Sequence, residues 1–249
     1  MKLFDTHTHL DFPHFSPDQK ELIEQFEPCG IEKVVNVGCD RATSSASVEL
    51  ACSHKQIYAA VGFHPHNAED FDASFLQGQN DKKKVVAIGE IGLDYYRNLA
   101  PKSLQKEVFE KQLEIAQTSN LPVIIHNRNA DKDVLEIIAR YDKVRAVFHC
   151  FGSNVDFANQ VIQMGHFVSF TGNITFKNAD FSDVILLVPP DRYFVETDSP
   201  YLTPHPFRGK RNSPLFLHHI VQKIAEIRGE TPKDVAKQTY KNGCRFFGV

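Results

Sequence analysis

The chain has 249 residues, 42% of them hydrophobic, and a formal net charge of −3. That is enough apolar material for one large core, and α/β barrels reach this length as one unit, so a single domain over residues 1–249 is the simplest expectation. The charge excludes a protein that coats nucleic acid through a global basic surface, and no run approaches the ~18 apolar residues of a membrane span. The five cysteines (Cys29, Cys39, Cys52, Cys150, Cys244) are scattered and form no CxxC pair, which argues against a disulfide framework or a zinc ribbon. Free thiols fit a reducing compartment, and Met1-Lys2-Leu3-Phe4-Asp5 has no apolar leader, so a soluble cytoplasmic protein is expected.

In chain order, strands are predicted at Leu3–Thr6, Lys33–Gly38, Ile57–Gly62, Val85–Gly89, Pro122–Ile125, Arg145–Phe148, His166–Phe170 and Tyr193–Glu196. Several are continuous apolar runs, the pattern of parallel strands buried on both faces. Helical patterns lie between them. Ser16-Pro17, Ser213-Pro214 and Thr231-Pro232 each place a capping hydroxyl before a first-turn proline. Ser103–Ser119 is amphipathic, and Gly30, Asn120 and Gly165 follow helical segments, where the left-handed C-terminal conformation is common. Eight strand–helix units, with no GxGxxG after the first strand, argue for a closed (β/α)8 TIM barrel over an open dinucleotide-binding sheet.

Active sites of such barrels lie at the C-terminal ends of the strands. Ionisable residues recur there in six of the eight predicted units: His7 and His9; His64 and His66; Glu90 and Asp94; His126 and Arg128; His149; Glu196 and Asp198. His7 and His9 stand two apart on a strand and so face the same way. Four histidines with two carboxylates exceed the four ligands of a closed zinc site and suffice for two metals bridged by a carboxylate. Such a pair activates a shared water and clamps a phosphoester.

The segments Asp5-Thr6-His7-Thr8-His9-Leu10-Asp11, Gly89-Glu90-Ile91-Gly92-Leu93-Asp94-Tyr95-Tyr96, His126-Asn127-Arg128, His149-Cys150-Phe151 and Glu196-Thr197-Asp198-Ser199-Pro200-Tyr201-Leu202 resemble, in order and over essentially the whole chain, the signatures of the TatD family of metal-dependent hydrolases. The resemblance implies an amidohydrolase-type barrel with deoxyribonuclease or related phosphoesterase activity on DNA, removing nucleotides from single-stranded ends, with 3'-5' exonuclease action as one form. It implies two divalent cations (Zn, Mn or Mg): His7, His9 and Asp198 at the first, His126 and His149 at the second, Glu90 bridging. His64 would face the substrate phosphate, and Asp198 would also serve as general base. Two departures stand out. Thr8 replaces the usual cysteine, at a position that strand alternation turns away from the metal, and Gly152-Ser153 reverses the usual order after His149-Cys150-Phe151.

Other residues keep two readings. Asp94 either orients a ligand histidine or ties down a loop, and Tyr95 either contacts substrate or packs. Arg128 either binds phosphate or makes a surface ion pair. The loop Thr203–Pro214 carries Arg208, Lys210 and Arg211 ahead of a helix start, so it is expected to contact nucleic acid, through Arg211 and Asn212 above all. His66 is left open, and His14, His54, His166, His218 and His219 lie off the motifs. A nucleophilic role for Cys150 is rejected in favour of metal-activated water. Alternatives to the nuclease are an amide, ester or lactone hydrolase on the same barrel, and a non-catalytic metal-binding barrel. No membrane partner is expected, and nothing in the chain demands more than a monomer.

Overall fold

The computed structural model describes residues 1–249. The apolar runs form eight parallel strands in sequential order: β1 (Leu3–Thr8), β2 (Ile31–Val37), β3 (Ile57–Val61), β4 (Val85–Asp94), β5 (Val123–Arg128), β6 (Ala146–Phe148), β7 (Phe167–Phe170) and β8 (Tyr193–Val195). The ring closes just beyond β8. Thr8 bridges Ser199 in parallel, the Asp198 N–H donates to the His7 carbonyl at 2.9 Å, and the His9 N–H donates to that of Ser199 at 2.9 Å. The fold is therefore a (β/α)8 barrel. Its helices are α1 (Gln19–Glu24), α2 (Arg41–Ser53), α3 (Ala73–Asn80), α4 (Lys102–Ser119), α5 (Asp131–Ile138), α6 (Val155–Gln163), α7 (Ser182–Leu187), α8 (Leu217–Arg228) and α9 (Pro232–Phe247). None is long and apolar enough to cross a membrane.

Local chemistry sets the helix ends, with two corrections to the sequence reading. Thr231 caps α9 by accepting the Asp234 N–H, and Asn120 ends α4 in the left-handed conformation at φ 54°. Ser16 caps nothing: α1 starts at Gln19, after Asp18. Ser213 makes no capping bond either, because Pro214–Phe216 form a 3-10 turn before α8 begins. Strands β4 and β5 also outrun their predicted ends, which puts Glu90, Asp94, His126 and Arg128 on strands and not in loops.

Strand alternation sorts the core into two layers. Val35, Ala60, Val86, Ile124, Val147 and Phe194 belong to one cluster together with Phe246 and Phe247 of α9. Their strand neighbours Val34, Ala59, Val61, Val85, Val123, Ala146 and Val195 pack in a larger cluster with residues of the surrounding helices. The rings of Phe167 and Phe194 stack at 5.1 Å and Phe246 meets both, at 5.0 and 5.2 Å, so α9 plugs the barrel with aromatic rings.

His166, just before β7, is buried, and burial followed by the nearby Arg192 charge pushes its imidazole down to about 4 from 6.5. A depressed folded-state value means stability that is full above 6.5 and is lost as pH falls through 4. Urea titrations at pH 7.5 and 5 should show the wild type losing about 2 kcal/mol more than His166→Leu over this interval. Groups elsewhere titrate in both proteins and cancel.

Candidate metal centre at the barrel mouth

Seven of the sequence-predicted residues converge where the strands end. His7 Nε2 and His9 Nε2 are 3.2 Å apart. Asp198 Oδ1 lies 3.8 Å from the first and 3.5 Å from the second, and Glu90 Oε2 lies 3.5 and 3.9 Å from them. The other oxygen of Glu90 faces a second set: His149 Nε2 at 2.7 Å, His126 Nδ1 at 2.9 Å and His64 Nε2 at 3.6 Å. Ligand atoms about 2.1 Å from one zinc-sized ion stand about 3.4 Å apart in tetrahedral geometry. The five edges that join His7 and His9 to each other, to Asp198 and to Glu90 run from 3.2 to 3.9 Å, around that length, and nitrogen and oxygen donors of this mix suit a borderline or hard divalent cation. The residues therefore fit a metal centre, with Glu90 shared between its halves.

A layer of partners aims these rings. His9 Nδ1 bonds the Val37 carbonyl at 2.8 Å, which fixes a proton there and turns Nε2 toward Asp198. Asp94 Oδ2 lies 3.1 Å from His126 Nε2 and 2.9 Å from His66 Nε2, while its Oδ1 accepts the Tyr96 and Arg97 N–H groups at 3.0 and 2.8 Å. Asp94 thus does both jobs that its position suggested, orienting a histidine and closing the loop. Glu196 Oε1 accepts the Cys150 N–H at 2.6 Å and lies 3.4 Å from His149 Nδ1, so it addresses the far side of that ring. His7 and His149 stack at 4.1 Å. Asp5 accepts both the N–H and the hydroxyl of Thr197, which couples β1 to the turn carrying Asp198. Burial pushes the Asp5 carboxyl up to about 7 despite those bonds. Thr8 turns outward to the Ser199 hydroxyl at 2.5 Å.

Charge in the centre follows from these contacts. Burial opposes ionisation of Glu90, yet His149, His64 and the bond from His126 hold its carboxyl well below the usual range. Burial likewise opposes the Asp198 charge, and His9 and His7 outweigh it, so this carboxylate is ionised at neutral pH. Burial pushes His64 well below its ordinary value. Its Nδ1 accepts the His66 N–H at 3.1 Å, so the neutral ring carries its proton on Nε2, facing the centre as a donor and not as a ligand. Burial raises the Cys150 thiol far above its ordinary value, which removes the thiolate that a nucleophile needs.

The centre opens into a cavity of about 1250 Å³. Arg128 lies on its wall with the guanidinium 4.1 Å over the Tyr96 ring, and Arg97 lines it too. Neither guanidinium has an ion-pair partner. Tyr95 points elsewhere, donating to Asp133 at 2.6 Å. The strand-eight loop departs from expectation. Arg211 makes a two-pronged bond to Asp18, both contacts 2.7 Å, and a third to the His14 carbonyl, so three of its five donors are taken, and it is absent from the cavity wall. Asn212 is fully buried, and its amide donates to the Thr197 and Tyr201 carbonyls at 2.9 and 2.5 Å while its oxygen accepts the Ser213 N–H. It holds the turn and has no surface for substrate. Sequence reasoning assigned no role to Glu196, Arg97 or Cys39, whose sulfur lies 3.8 Å from Glu90 Oε2. For Glu196 a signal existed: a carboxylate two positions before Asp198, at the end of an apolar strand.

Three comparisons bear on this arrangement. Over 253 aligned residues the chain is 41% identical to an uncharacterized metal-dependent hydrolase, YabD, of Bacillus subtilis (strain 168), covering 99% of each. It is 32% identical to a 3'-5' ssDNA/RNA exonuclease TatD of Pantoea ananatis, covering 99% of this chain and 100% of that one. The crystal structure of YJJV, a TatD homologue from Escherichia coli K12, superposes with a TM-score of 0.94 at 30% identity, over 99% of this chain and 98% of that one. With residues 4–248 also matching the family described as TatD related DNase, the chain belongs to the TatD family.

Proposed function

We propose that this protein is a metal-dependent phosphodiesterase that shortens DNA from single-stranded ends. The observation that carries the reading is the sharing of one buried carboxylate, Glu90, between two sets of imidazoles. The relative named as a single-strand exonuclease, similar over its whole length, supports the nucleic-acid substrate. Two divalent cations, Zn, Mn or Mg, would be held by His7, His9 and Asp198 on one side and by His126 and His149 on the other, with Glu90 between. Bound there, they lower the pKa of water and offset phosphate charge.

The chain's own groups do the rest. Asp198, ionised and held by His9, accepts the proton of the attacking water. His64 donates its Nε2 proton to a phosphoryl oxygen as negative charge develops there. Asp94 and Glu196 keep His126 and His149 in register. Arg128, stacked on Tyr96 and without a counter-ion, takes a phosphate of the strand.

The test is a screen of Mg, Mn, Co and Zn against single-stranded DNA, duplex DNA, RNA, a simple phosphodiester and a carboxylic ester. Single-stranded DNA should be cleaved best. EDTA should abolish turnover, and re-addition of metal should restore it. A chelator-insensitive enzyme, or one that hydrolyses only the carboxylic ester, would overturn the reading.

A further inference from the structure

With Arg211 and Asn212 withdrawn from substrate contact, something else must hold a strand at the cavity. Because β1 and β8 meet where the barrel closes, the β4–β5 boundary lies directly across an eight-stranded ring. On the β1–β8 side stand Phe12 and Tyr201. Phe12 lies flat against His9, centroids 4.6 Å apart at 15°. Tyr201 meets Phe12 edge-on at 6.3 Å and 73°, and this cavity-lining residue stays 49% exposed. Its position is fixed from behind by the Asn212 amide on its carbonyl. On the β4–β5 side stand the two unpaired guanidiniums of Arg97 and Arg128.

We propose that Tyr201, buttressed by Phe12, is a stacking platform for the terminal unpaired base of a nucleic-acid strand, with Arg97 and Arg128 taking phosphates across the mouth. The proposal rests on the phosphodiesterase reading above. An aromatic face beside free cations binds single strands whatever their sequence, since every base has a π-face and every linkage a charge. The buried metal-ligating His9 supports Phe12, and Phe12 supports Tyr201, so the platform adjoins the scissile linkage. A terminal base in a duplex is already paired and stacked, and must give that up to reach Tyr201. The platform therefore selects unpaired ends.

The test compares wild type, Tyr201→Phe and Tyr201→Ala, each metal-loaded, in two measurements. The first is hydrolysis of single-stranded dodecamers ending in a normal or an abasic nucleotide, at each end in turn. The second is fluorescence of a terminal 2-aminopurine joined through a non-hydrolysable methylphosphonate, which reports stacking without turnover. Wild type and Tyr201→Phe should prefer the base-bearing end by roughly tenfold, through KM, and should quench the fluorophore; Tyr201→Ala should lose both the preference and the quenching. Equal quenching by wild type and Tyr201→Ala, or no quenching by either, overturns the platform. Failure of the wild type to hydrolyse any dodecamer overturns the phosphodiesterase reading instead, and quenching still decides the platform.

Discussion

Replacing Glu90 with alanine is expected to leave a folded barrel that has lost its activity and at least one of its two proposed metals. Glu90 is the anion on which both halves of the centre depend: one oxygen lies 2.7 and 2.9 Å from His149 and His126, the other 3.5 Å from His7. Without it the two sets of imidazoles lose the anion between them, and Asp198 is left as the remaining carboxylate of the proposed ligand set. The loss of a shared ligand and of the electrostatics it organises should lower kcat/KM by at least about 10³-fold. The barrel should survive because its two large hydrophobic clusters do not include Glu90. Turnover, metal content by mass spectrometry and thermal melting, measured on one preparation, separate these effects. A folded Glu90→Ala protein that keeps two metals and its rate would refute the bridging assignment. Glu90→Gln, which keeps the shape and removes the charge, should resemble Glu90→Ala in metal content.

The meeting of the candidate metal ligands is legible in the sequence for a simple reason. A strand's side chains repeat every two residues, and barrel chemistry gathers at one end of every strand, so His7 and His9, Glu90, His126, His149 and Asp198 could be placed without coordinates. The candidate substrate contacts His64 and Arg128 could be named from the sequence, but the loop after strand eight misleads, because a cluster of cations does not say which donors are already occupied. Arg211 looked free beside Arg208 and Lys210, yet its partner Asp18 lies 193 positions away in sequence. Arg128 is legible as a candidate phosphate contact, but Arg97 carries no motif, and only the ring order sets the two across from Tyr201. Strand β4 runs past its predicted end at Gly89 and through Gly92, whose φ of +132° lies in the region that favours glycine.

Gly92→Ala is expected to be the most damaging single-methyl change in the chain, and it connects backbone to chemistry. Gly92 pairs with His126 across β4 and β5, and a Cβ there would sit 2.1 Å from the His126 carbonyl oxygen and 3.1 Å from its nitrogen. These are backbone atoms in a paired strand, so no rotamer relieves the clash. The strands must part, and a side chain at φ +132° adds strain of its own. A loss of about 4 kcal/mol, or a fall in Tm of about 10 °C, is expected. The separation falls on His126 and, two residues along β4, on Asp94 that orients it, so the metal proposed at His126 and His149 should be bound more weakly than the one proposed at His7 and His9. Gly78→Ala is the control. Gly78 lies within α3 with no atom within 4 Å of a built Cβ, and the same methyl should there raise stability by about 0.5–1 kcal/mol through helix propensity. A lower melting point with loss of metal in Gly92→Ala, and neither in Gly78→Ala, would tie the β4–β5 seam to the proposed second metal. Equal melting points and equal metal content would show that the seam tolerates a side chain and that His126 does not depend on it.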